Sequence, residues 1–277
     1  MSRLNKTFKK LAKKSKTALI PFITAGHPHP LLTVASMHAL VKNGANIIEL
    51  GMPFSDPMAD GVVIQRSSEI AIECGMTLDT VLDIVAEFRE KDSKTPVILM
   101  GYLNPIERFG YEKFIQQASV SGVDGLLIVD APPEESKQLM QLLKQHNMAQ
   151  IFLIAPTTTK KRQKYIAGKS SGFIYCVALK GVTGAENAEY SDLKAKVKSI
   201  KKYSDLPIAI GFGVKDVKTA KQVAKYGDAV VIGTALVEKL GHCENAQQIE
   251  KTVKKFIKPI AKAMNKTTIK NKKDKVK

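Results

Sequence analysis

Short apolar runs rich in β-branched residues recur along the chain and alternate with longer stretches whose apolar residues follow a helical period. Each run is bounded by glycine, proline or polar residues, a pattern typical of strands buried on both faces of a parallel sheet. We predict eight strands, at residues 18–24, 46–50, 96–100, 125–129, 150–154, 172–177, 207–211 and 229–232.

Helical segments separate these predicted strands, and crossovers of this kind place consecutive strands parallel. We predict them at residues 31–41, 78–89, 111–119, 134–145, 160–167, 193–203 and 217–226. Eight such units predict an α/β fold of the TIM (β/α)8 barrel type, with a doubly wound open sheet as the alternative. A length of 277 residues suits one barrel with additions at its ends.

The two ends of the chain differ from its middle. Leu4, Phe8, Leu11 and Ala12 are spaced along one helical face with lysines between them, which predicts an extra amphipathic N-terminal helix packed on the body. We predict one domain over residues 1–265 and a lysine-rich, disordered tail over residues 266–277.

The net charge of +17 is concentrated at these ends. Residues 1–16 carry seven basic side chains and no acid, and residues 251–277 carry eleven lysines and one aspartate. The middle of the chain is therefore neutral. Basic ends could bind nucleic acid, but they lack the interleaved aromatic residues that stack on bases, so we predict no nucleic-acid partner.

Cys74, Cys176 and Cys243 lie far apart in the sequence, without the paired spacing of a zinc site or a disulfide framework. We therefore predict no metal and a reducing compartment, the cytoplasm. Apolar stretches long enough for a membrane span or a signal peptide are lacking, so we predict no membrane association.

The segment IIELGMPFSDPMADGVVIQ, residues 47–65, carries the candidate chemistry. Glu49 is the only charge in a predicted buried strand, and burial raises the pKa of a carboxyl toward the range where it both gives and takes protons. Asp60 follows on a loop stiffened by two prolines. The alternatives are an ion-paired Glu49 at a strand end and an Asp60 that caps the helix beginning near Val62.

Other candidate site residues follow later strands. Tyr102 follows the third predicted strand and Tyr175 lies near the end of the sixth, at the end of a barrel where active sites form. Glycines cluster after the last three strands, and backbone N–H groups at such turns bind phosphate. The alternative is that these glycines serve only the sterics of the turns. The phosphate candidates are Gly184, Gly211, Gly213, Gly233 and Thr234.

The chain resembles the tryptophan synthase alpha subunit family. The segment ELGMPFSDPMADGVVIQ is similar to that family's signature around its catalytic glutamate. The blocks MGYLNPI, GVTGAEN, GFGV and VIGTALV match further family motifs in the same order, over about residues 18–240. Long ordered motifs are far more specific than an isolated glycine pattern.

The resemblance implies retro-aldol cleavage of indole-3-glycerol phosphate to indole and glyceraldehyde 3-phosphate, a carbon–carbon lyase step of L-tryptophan biosynthesis. It implies no cofactor in this chain, and a beta subunit that holds pyridoxal phosphate, joined in an alpha2-beta2 tetramer. Glu49 would move protons at the indole carbon and the glycerol hydroxyl, Asp60 would hold the indole N–H, and Tyr175 would complete the catalytic set by positioning substrate.

The resemblance also assigns binding residues. It implies that Gly184, Gly213, Gly233 and Thr234 hold phosphate and that Thr183 lies in a loop that closes over substrate. Substrate-binding side chains would be Phe22, Ile64, Met100, Tyr102 and Phe212, which include the apolar walls that an indole needs. Loops used against the beta subunit would include Pro53, Asp56, Asn104 and Pro105.

The sequence departs from the family pattern at three places. The family commonly has aspartate at His27 and proline at Val62, and it often has Ser-Arg in the segment where this chain has Ala178-Leu179-Lys180. Loss of an arginine there could alter loop closure. We interpret His27 and His29 as structural or solvated, because other ligand types are lacking nearby.

Other functions are compatible with parts of this sequence pattern. Another phosphate-binding barrel, such as an isomerase or indole-glycerol-phosphate synthase, would need different acids and bases, and the lack of a lysine at a central strand end argues against the synthase. A catalytically weak alpha-like subunit could act mainly as an allosteric activator of the beta subunit. Retention of Glu49, Asp60 and Tyr175 argues against this second alternative.

Overall fold

A computed structural model describes the backbone of residues 1–177, 186–211 and 213–273, and the side chains of these residues except 186–189 and 265–273. Nine parallel strands in these ranges form a sheet in the order β5-β4-β3-β2-β1-β9-β8-β7-β6. The strands are β1 Ala18–Thr24, β2 Ile48–Gly51, β3 Val97–Gly101, β4 Gly125–Ile128, β5 Ala149–Ile151, β6 Leu153–Ile154, β7 Ile174–Val177, β8 Ile208–Gly211 and β9 Ala229–Ile232.

The two ends of this sheet belong to one interrupted strand. Only Phe152 separates β5 from β6, and its carbonyl oxygen accepts a hydrogen bond from the Tyr175 N–H at 3.1 Å. The sheet therefore closes on itself, which confirms the predicted TIM barrel and excludes the open sheet. The prediction of one unbroken strand over residues 150–154 was wrong at Phe152, whose side chain packs outside the barrel with the helix layer.

Helices surround the barrel. Among the described residues they are α1 Arg3–Lys13, α2 Thr33–Lys42, α3 Val62–Glu73, α4 Leu78–Lys91, α5 Leu103–Phe109, α6 Tyr111–Ser121, α7 Lys137–Gln145, α8 Lys160–Lys169, α9 Glu186–Ile200, α10 Val217–Val223, α11 Thr234–Leu240 and α12 Ala246–Lys273. A short 3-10 turn, Pro30–Leu32, precedes α2.

One helix prediction needed correction, and two helices were not predicted. The segment predicted at residues 193–203 is α9, which begins at Glu186 and ends at Ile200. Helix α5 was not predicted, and neither was α12. The backbone of α12 continues to Lys273, into the stretch for which we predicted disorder. The boundary between a domain at 1–265 and a tail at 266–277 stays a prediction.

Apolar residues fill two layers. One layer lies between the strands and the surrounding helices, and the other fills the inside of the barrel. Helix α1 packs on the body as predicted, and its buried Leu4 and Phe8 join the apolar residues inside the barrel. The rings of Phe8 and Phe173 lie 5.9 Å apart, measured between centroids. The inward-facing residues include Ile20, Ile47, Ile98, Leu127, Ile151 and Phe173.

Candidate active site

A cavity of about 690 Å³ opens at the C-terminal ends of the strands. Glu49 from β2 and Tyr175 from β7 line it, together with Asp60 from loop 2, which we define as residues 52–61. Tyr175 thus meets Glu49 and Asp60, which are distant from it in sequence, in one cavity, as the barrel prediction required. The cavity is of the size expected for a small-molecule site.

Glu49 is 1% exposed, and its neighbours in register are Phe22 on β1 and Ile98 on β3. Neither carboxyl oxygen has a hydrogen-bond partner among the described residues. Burial, reinforced by the negative charge of Asp60, raises the pKa of Glu49 from 4.5 to about 8. The carboxyl is therefore mostly protonated at neutral pH, and the alternative of an ion-paired Glu49 is wrong.

Asp60 is held by an aromatic hydroxyl. The Tyr102 Oη–H donates to the Asp60 carboxylate at 3.0 Å. The Tyr102 Oη atom also accepts the Ala59 N–H at 3.0 Å. Burial raises the pKa of Asp60, while the hydrogen bond from Tyr102 opposes that rise. Gly61 is the N-cap of α3 without a side-chain cap, so the alternative that Asp60 caps this helix is wrong.

This contact also places Tyr102 itself. Its ring is 4% exposed and lies beside Phe54, with 5.2 Å between ring centroids. Tyr102 contacts a small pocket behind Asp60 and does not line the main cavity. Its geometry is that of a support for Asp60, and its direct contact with substrate stays a prediction.

Close approaches of glycine position two aromatic side chains. A β-carbon on Gly51 would lie 2.6 Å from the Phe22 ring, and one on Gly211 would lie 2.6 Å from the Tyr175 hydroxyl. Glycine at these strand ends therefore leaves room for the rings at the cavity. Burial, with the charges of Glu49 and Asp60, raises the pKa of Tyr175 well above its ordinary value. Tyr175 is therefore a neutral hydrogen-bonding group.

The structure brings most of the predicted binding residues together. An apolar wall of the cavity is formed by Phe22, Ile64 and Met100. The first two belong to one buried cluster, against which Met100 packs. The predicted phosphate residues among the described ones, at the ends of β8 and β9, also line the cavity: Gly211, Gly213, Gly233 and Thr234. Thr183, Gly184 and Phe212 lie outside the described residues, as do Ala178, Leu179 and Lys180.

The predicted partner residues lie on the same end of the barrel. Pro53 and Asp56 are in loop 2, and Asn104 and Pro105 are in α5, which follows β3. Asp56 and Asn104 are exposed. Loop 2 also carries Met58, an 83% exposed apolar side chain that the sequence analysis did not name as a candidate surface residue. A large apolar side chain inside an Asp/Pro loop was the available signal.

Sequence reasoning also missed charged residues on the cavity wall. Lys215 follows Gly213 on the loop after β8, and Glu238 lies one turn into α11. A lysine two residues after a glycine-rich strand end was a usable signal for Lys215. Nothing local in the sequence distinguishes Glu238 from other exposed helical glutamates.

The histidines discussed above are not grouped into a second site in the part of the chain that the structure describes. Burial lowers the pKa of His27 to about 4, so this side chain is neutral, and the exposed His29 accepts the Leu31 N–H through Nδ1 at 3.3 Å. Within the described ranges, no three His, Cys, Asp or Glu side chains are grouped to hold a metal ion. No helix in those ranges has both the length and the apolar character needed to cross a membrane.

The fold and the site together define a class. The barrel is closed, and its cavity combines apolar walls, a buried carboxyl of raised pKa, a second carboxyl group and glycine-rich strand ends. This is the architecture of a barrel enzyme that acts by acid–base catalysis on a phosphorylated substrate.

Comparison with known proteins narrows this class. A sequence profile of the family described as "Tryptophan synthase alpha chain" matches residues 8–268. The chain belongs to this family. The tryptophan synthase alpha chain of Janthinobacterium sp. (strain Marseille) is 51% identical over 265 residues, 96% of this chain and 100% of the relative. That of Nitrosococcus oceani is 50% identical over 249 residues, 90% of this chain and 92% of the relative.

Solved structures agree. The crystal structure of tryptophan synthase subunit alpha from Legionella pneumophila str. Paris superimposes with a TM-score of 0.87 at 42% identity, over 96% of this chain and 99% of the other. A tryptophan synthase structure from M. tuberculosis gives a TM-score of 0.84 at 30% identity, over 96% and 99%.

Family membership sets the function at the level of the reaction. The family cleaves indole-3-glycerol phosphate as a lyase, and the chain takes the alpha role in tryptophan biosynthesis. The alternative of a mainly activating subunit is not favoured. An alpha chain implies a beta subunit as partner, and the family implies no cofactor in the alpha chain itself.

Proposed function

We propose that Glu49, Asp60 and Tyr175 carry out the retro-aldol cleavage of indole-3-glycerol phosphate in this cavity. The observation that carries the assignment is the Glu49 carboxyl, buried at the cavity without a hydrogen-bond partner among the described residues. A structural carboxyl would be paired, since an unsatisfied buried polar group is destabilising. A reacting group must instead be free to contact substrate.

The proposed chemistry uses Glu49 twice. Cleaving a carbon–carbon bond to an aromatic carbon requires that carbon to be protonated first, and a carboxyl with a pKa of about 8 is protonated at neutral pH. Glu49 donates its proton to the indole carbon and becomes a carboxylate. The Glu49 carboxylate then takes the proton of the glycerol hydroxyl, and the carbon–carbon bond breaks. The electron pair of the broken bond returns to the ring. Indole and the aldehyde leave, and Glu49 is protonated again.

Asp60 supports the first of these steps. Protonation of the ring carbon places positive charge on the indole nitrogen, and a carboxylate that accepts the indole N–H stabilises this charge. The hydrogen bond from Tyr102 counters the effect of burial and favours the ionised form of Asp60. Of the two carboxyls, only Asp60 accepts a hydrogen bond from a described residue, and this difference suits an acid and an N–H acceptor working on one ring.

Two sets of cavity residues suit two different parts of the substrate. The apolar group of Phe22, Ile64 and Met100 fits an indole, and Gly211, Gly213, Gly233 and Thr234 offer a glycine-rich wall for the phosphate. The backbone at Gly213 has a φ of +38°. In α11 the first helical hydrogen bonds run from the N–H groups of Leu236 and Val237 to the Gly233 carbonyl oxygen, so the N–H groups of Thr234 and Ala235 precede them. We assign Thr183, Gly184 and Phe212 to the same site from the family resemblance.

The partner assignment extends the family statement. We propose that Pro53, Asp56, Asn104 and Pro105 contact a beta subunit that holds pyridoxal phosphate, within an alpha2-beta2 tetramer in the cytoplasm. Support comes from their position, since loop 2 and α5 flank the cavity that releases indole. A partner bound there would receive indole directly and could order loop 2.

The test is cleavage of indole-3-glycerol phosphate by the purified chain, alone and with a tryptophan synthase beta subunit. We expect slow cleavage alone, faster cleavage with beta, and a loss of at least about a hundredfold in kcat for Glu49→Gln, because general acid–base catalysis contributes on that order. Glu238→Gln is the matched control, since it removes a carboxylate from the same cavity outside the proposed chemistry.

Two results would contradict the proposal. Wild-type-like turnover by Glu49→Gln would remove Glu49 from the mechanism. Stimulation of the beta subunit without any cleavage by the wild-type chain would leave only the activating role.

A further inference from the structure

The charges around the cavity are unbalanced for a phosphorylated substrate. Three acidic residues, Glu49, Asp60 and Glu238, line it. Among the described lining residues, Lys215 is the only basic one. A phosphate dianion would therefore enter a cavity in which acidic side chains outnumber basic ones, and the glycine-rich loops offer only backbone dipoles to offset them.

Lys215 is placed to counter this imbalance. It follows Gly213 by two residues, on the side of the cavity where Gly211, Gly233 and Thr234 also lie. The backbone there is fixed by the start of α10, because the N–H groups of Lys215 and Asp216 both donate to Thr219 Oγ1 at 3.2 Å. The position of the lysine at the rim is thus set by a helix cap.

The Lys215 ammonium is also available. Among the residues that the structure describes, none forms an ion pair with it. The adjacent carboxylate of Asp216 is engaged with α10, where it accepts the Thr219 N–H at 2.7 Å. Lys215 is exposed, so an anion reaches it without any rearrangement of the core.

We propose that Lys215 is a specificity-determining residue that supplies the cationic contact for the phosphate group of the substrate. The proposal rests on the proposed function of the cavity and adds a side-chain charge to a phosphate site otherwise made of backbone. It concerns binding alone, because the phosphate is remote from the bond that breaks. Lys215 therefore acts on KM and leaves kcat unchanged.

The test is calorimetric titration of the full chain with glycerol 3-phosphate, at about 0.02 M and about 0.3 M salt, beside steady-state cleavage of indole-3-glycerol phosphate. We expect Lys215→Gln to weaken glycerol 3-phosphate binding about fivefold at low salt and less at high salt, with a matching rise in KM. Lys215→Arg keeps the charge and should retain most of the affinity. Indole, which has no phosphate, should bind all variants equally.

Lys221→Gln is the matched control, because it removes one exposed positive charge from α10, away from the cavity wall. Equal affinity in Lys215→Gln and wild type would overturn the assignment, as would equal losses in Lys215→Gln and Lys221→Gln. An equal loss of indole binding would also overturn it, since the whole cavity would then have changed. A wild-type chain that neither binds glycerol 3-phosphate nor cleaves substrate would overturn the proposed function as well.

Discussion

Glu49 occupies a position that a stability argument alone would give to an apolar residue. Its neighbours on the adjacent strands are Phe22 and Ile98, and its carboxyl has no hydrogen-bond partner among the described residues. Ionising it there leaves a buried charge unpaired, which is far more costly than burying the neutral acid. The folded state therefore favours the protonated form of Glu49.

A measurable pH dependence of stability follows. The folded pKa of Glu49, about 8, lies above its ordinary value of 4.5, so the folded state binds more protons than the unfolded state between these pH values. The stability present below pH 4.5 is lost as the pH rises through this window, with a slope of up to ~1.4 kcal/mol per pH unit. Glu49→Gln removes this term.

Urea denaturation of wild type and Glu49→Gln at several pH values between 5 and 8 tests this. We expect the variant to gain in free energy of unfolding relative to wild type as the pH rises. Other titrating groups cancel in the difference between the two proteins. Parallel stability curves would show that the pKa of Glu49 is not raised by folding.

At the scale of elements, β3 and loop 2 hold one another at the site. Gly101 ends β3, and a β-carbon there would lie 2.7 Å from Met52 Cε, so glycine permits the close approach of loop 2. Tyr102 then bonds Asp60 and the Ala59 N–H. The end of one strand thus sets the position of an acid carried on the neighbouring loop.

Tyr102→Phe tests this coupling. The phenyl ring keeps its packing on Phe54, but Asp60 loses a hydrogen bond that lowers its pKa. We expect the pKa of Asp60 to rise, the acid limb of the kcat/KM profile to move to higher pH, and kcat/KM to fall about tenfold, equivalent to ~1.4 kcal/mol.

The chain offers a matched control in Tyr111→Phe. The hydroxyl of Tyr111 on α6 donates to Glu107 on α5 at 2.6 Å, and neither residue lines the cavity. Removing this hydroxyl should therefore leave the pH profile of kcat/KM unchanged. If Tyr102→Phe lowered stability as Tyr111→Phe does and left the acid limb in place, Tyr102 would be a packing residue only.

The elements themselves were predictable to different degrees. The strands are buried on both faces and therefore appear in the sequence as continuous apolar runs, which located all of them. Helix α5 was missed because it is short and carries Pro105 in its first turn. Helix α12 was missed because its lysines suggested a tail, although its buried residues have helical spacing: Ile249, Val253, Ile257, Ile260 and Met264.

For the whole molecule, the two ends of the barrel have separate roles. The sequence alone predicted Glu49 and Asp60 as site residues, since their chemistry and their place at or after a strand end are local features, and both line the cavity. It could not identify the Tyr102 support or the charge balance at Lys215, because both depend on contacts between different strands and loops. The opposite end of the barrel carries no predicted chemistry, and there Arg3, Arg89 and Asp124 form a largely buried cluster.

This cluster joins parts of the chain that the strands alone do not hold. Asp124 accepts bonds from Arg89 at 2.9 Å, from Arg3 of α1 at 3.2 Å and from the Val97 N–H of β3 at 2.9 Å. Arg89 of α4 also donates to the carbonyl oxygens of Gly122 and Thr95. If Arg89 is removed, the ion pair with the more exposed Arg3 is the one that remains for Asp124 among the described residues, and Asp124 is only 5% exposed.

We expect Arg89→Ala to lower the free energy of unfolding by about 3 kcal/mol, because a broken buried ion pair leaves an uncompensated charge. Arg3→Ala, whose side chain is 34% exposed, should cost at most about 1 kcal/mol. Urea denaturation measures both. Because the cluster lies at the end of the barrel away from the cavity, KM should not change in either variant. A loss of substrate affinity in Arg89→Ala at temperatures where it is folded would show that the two ends of the barrel are coupled.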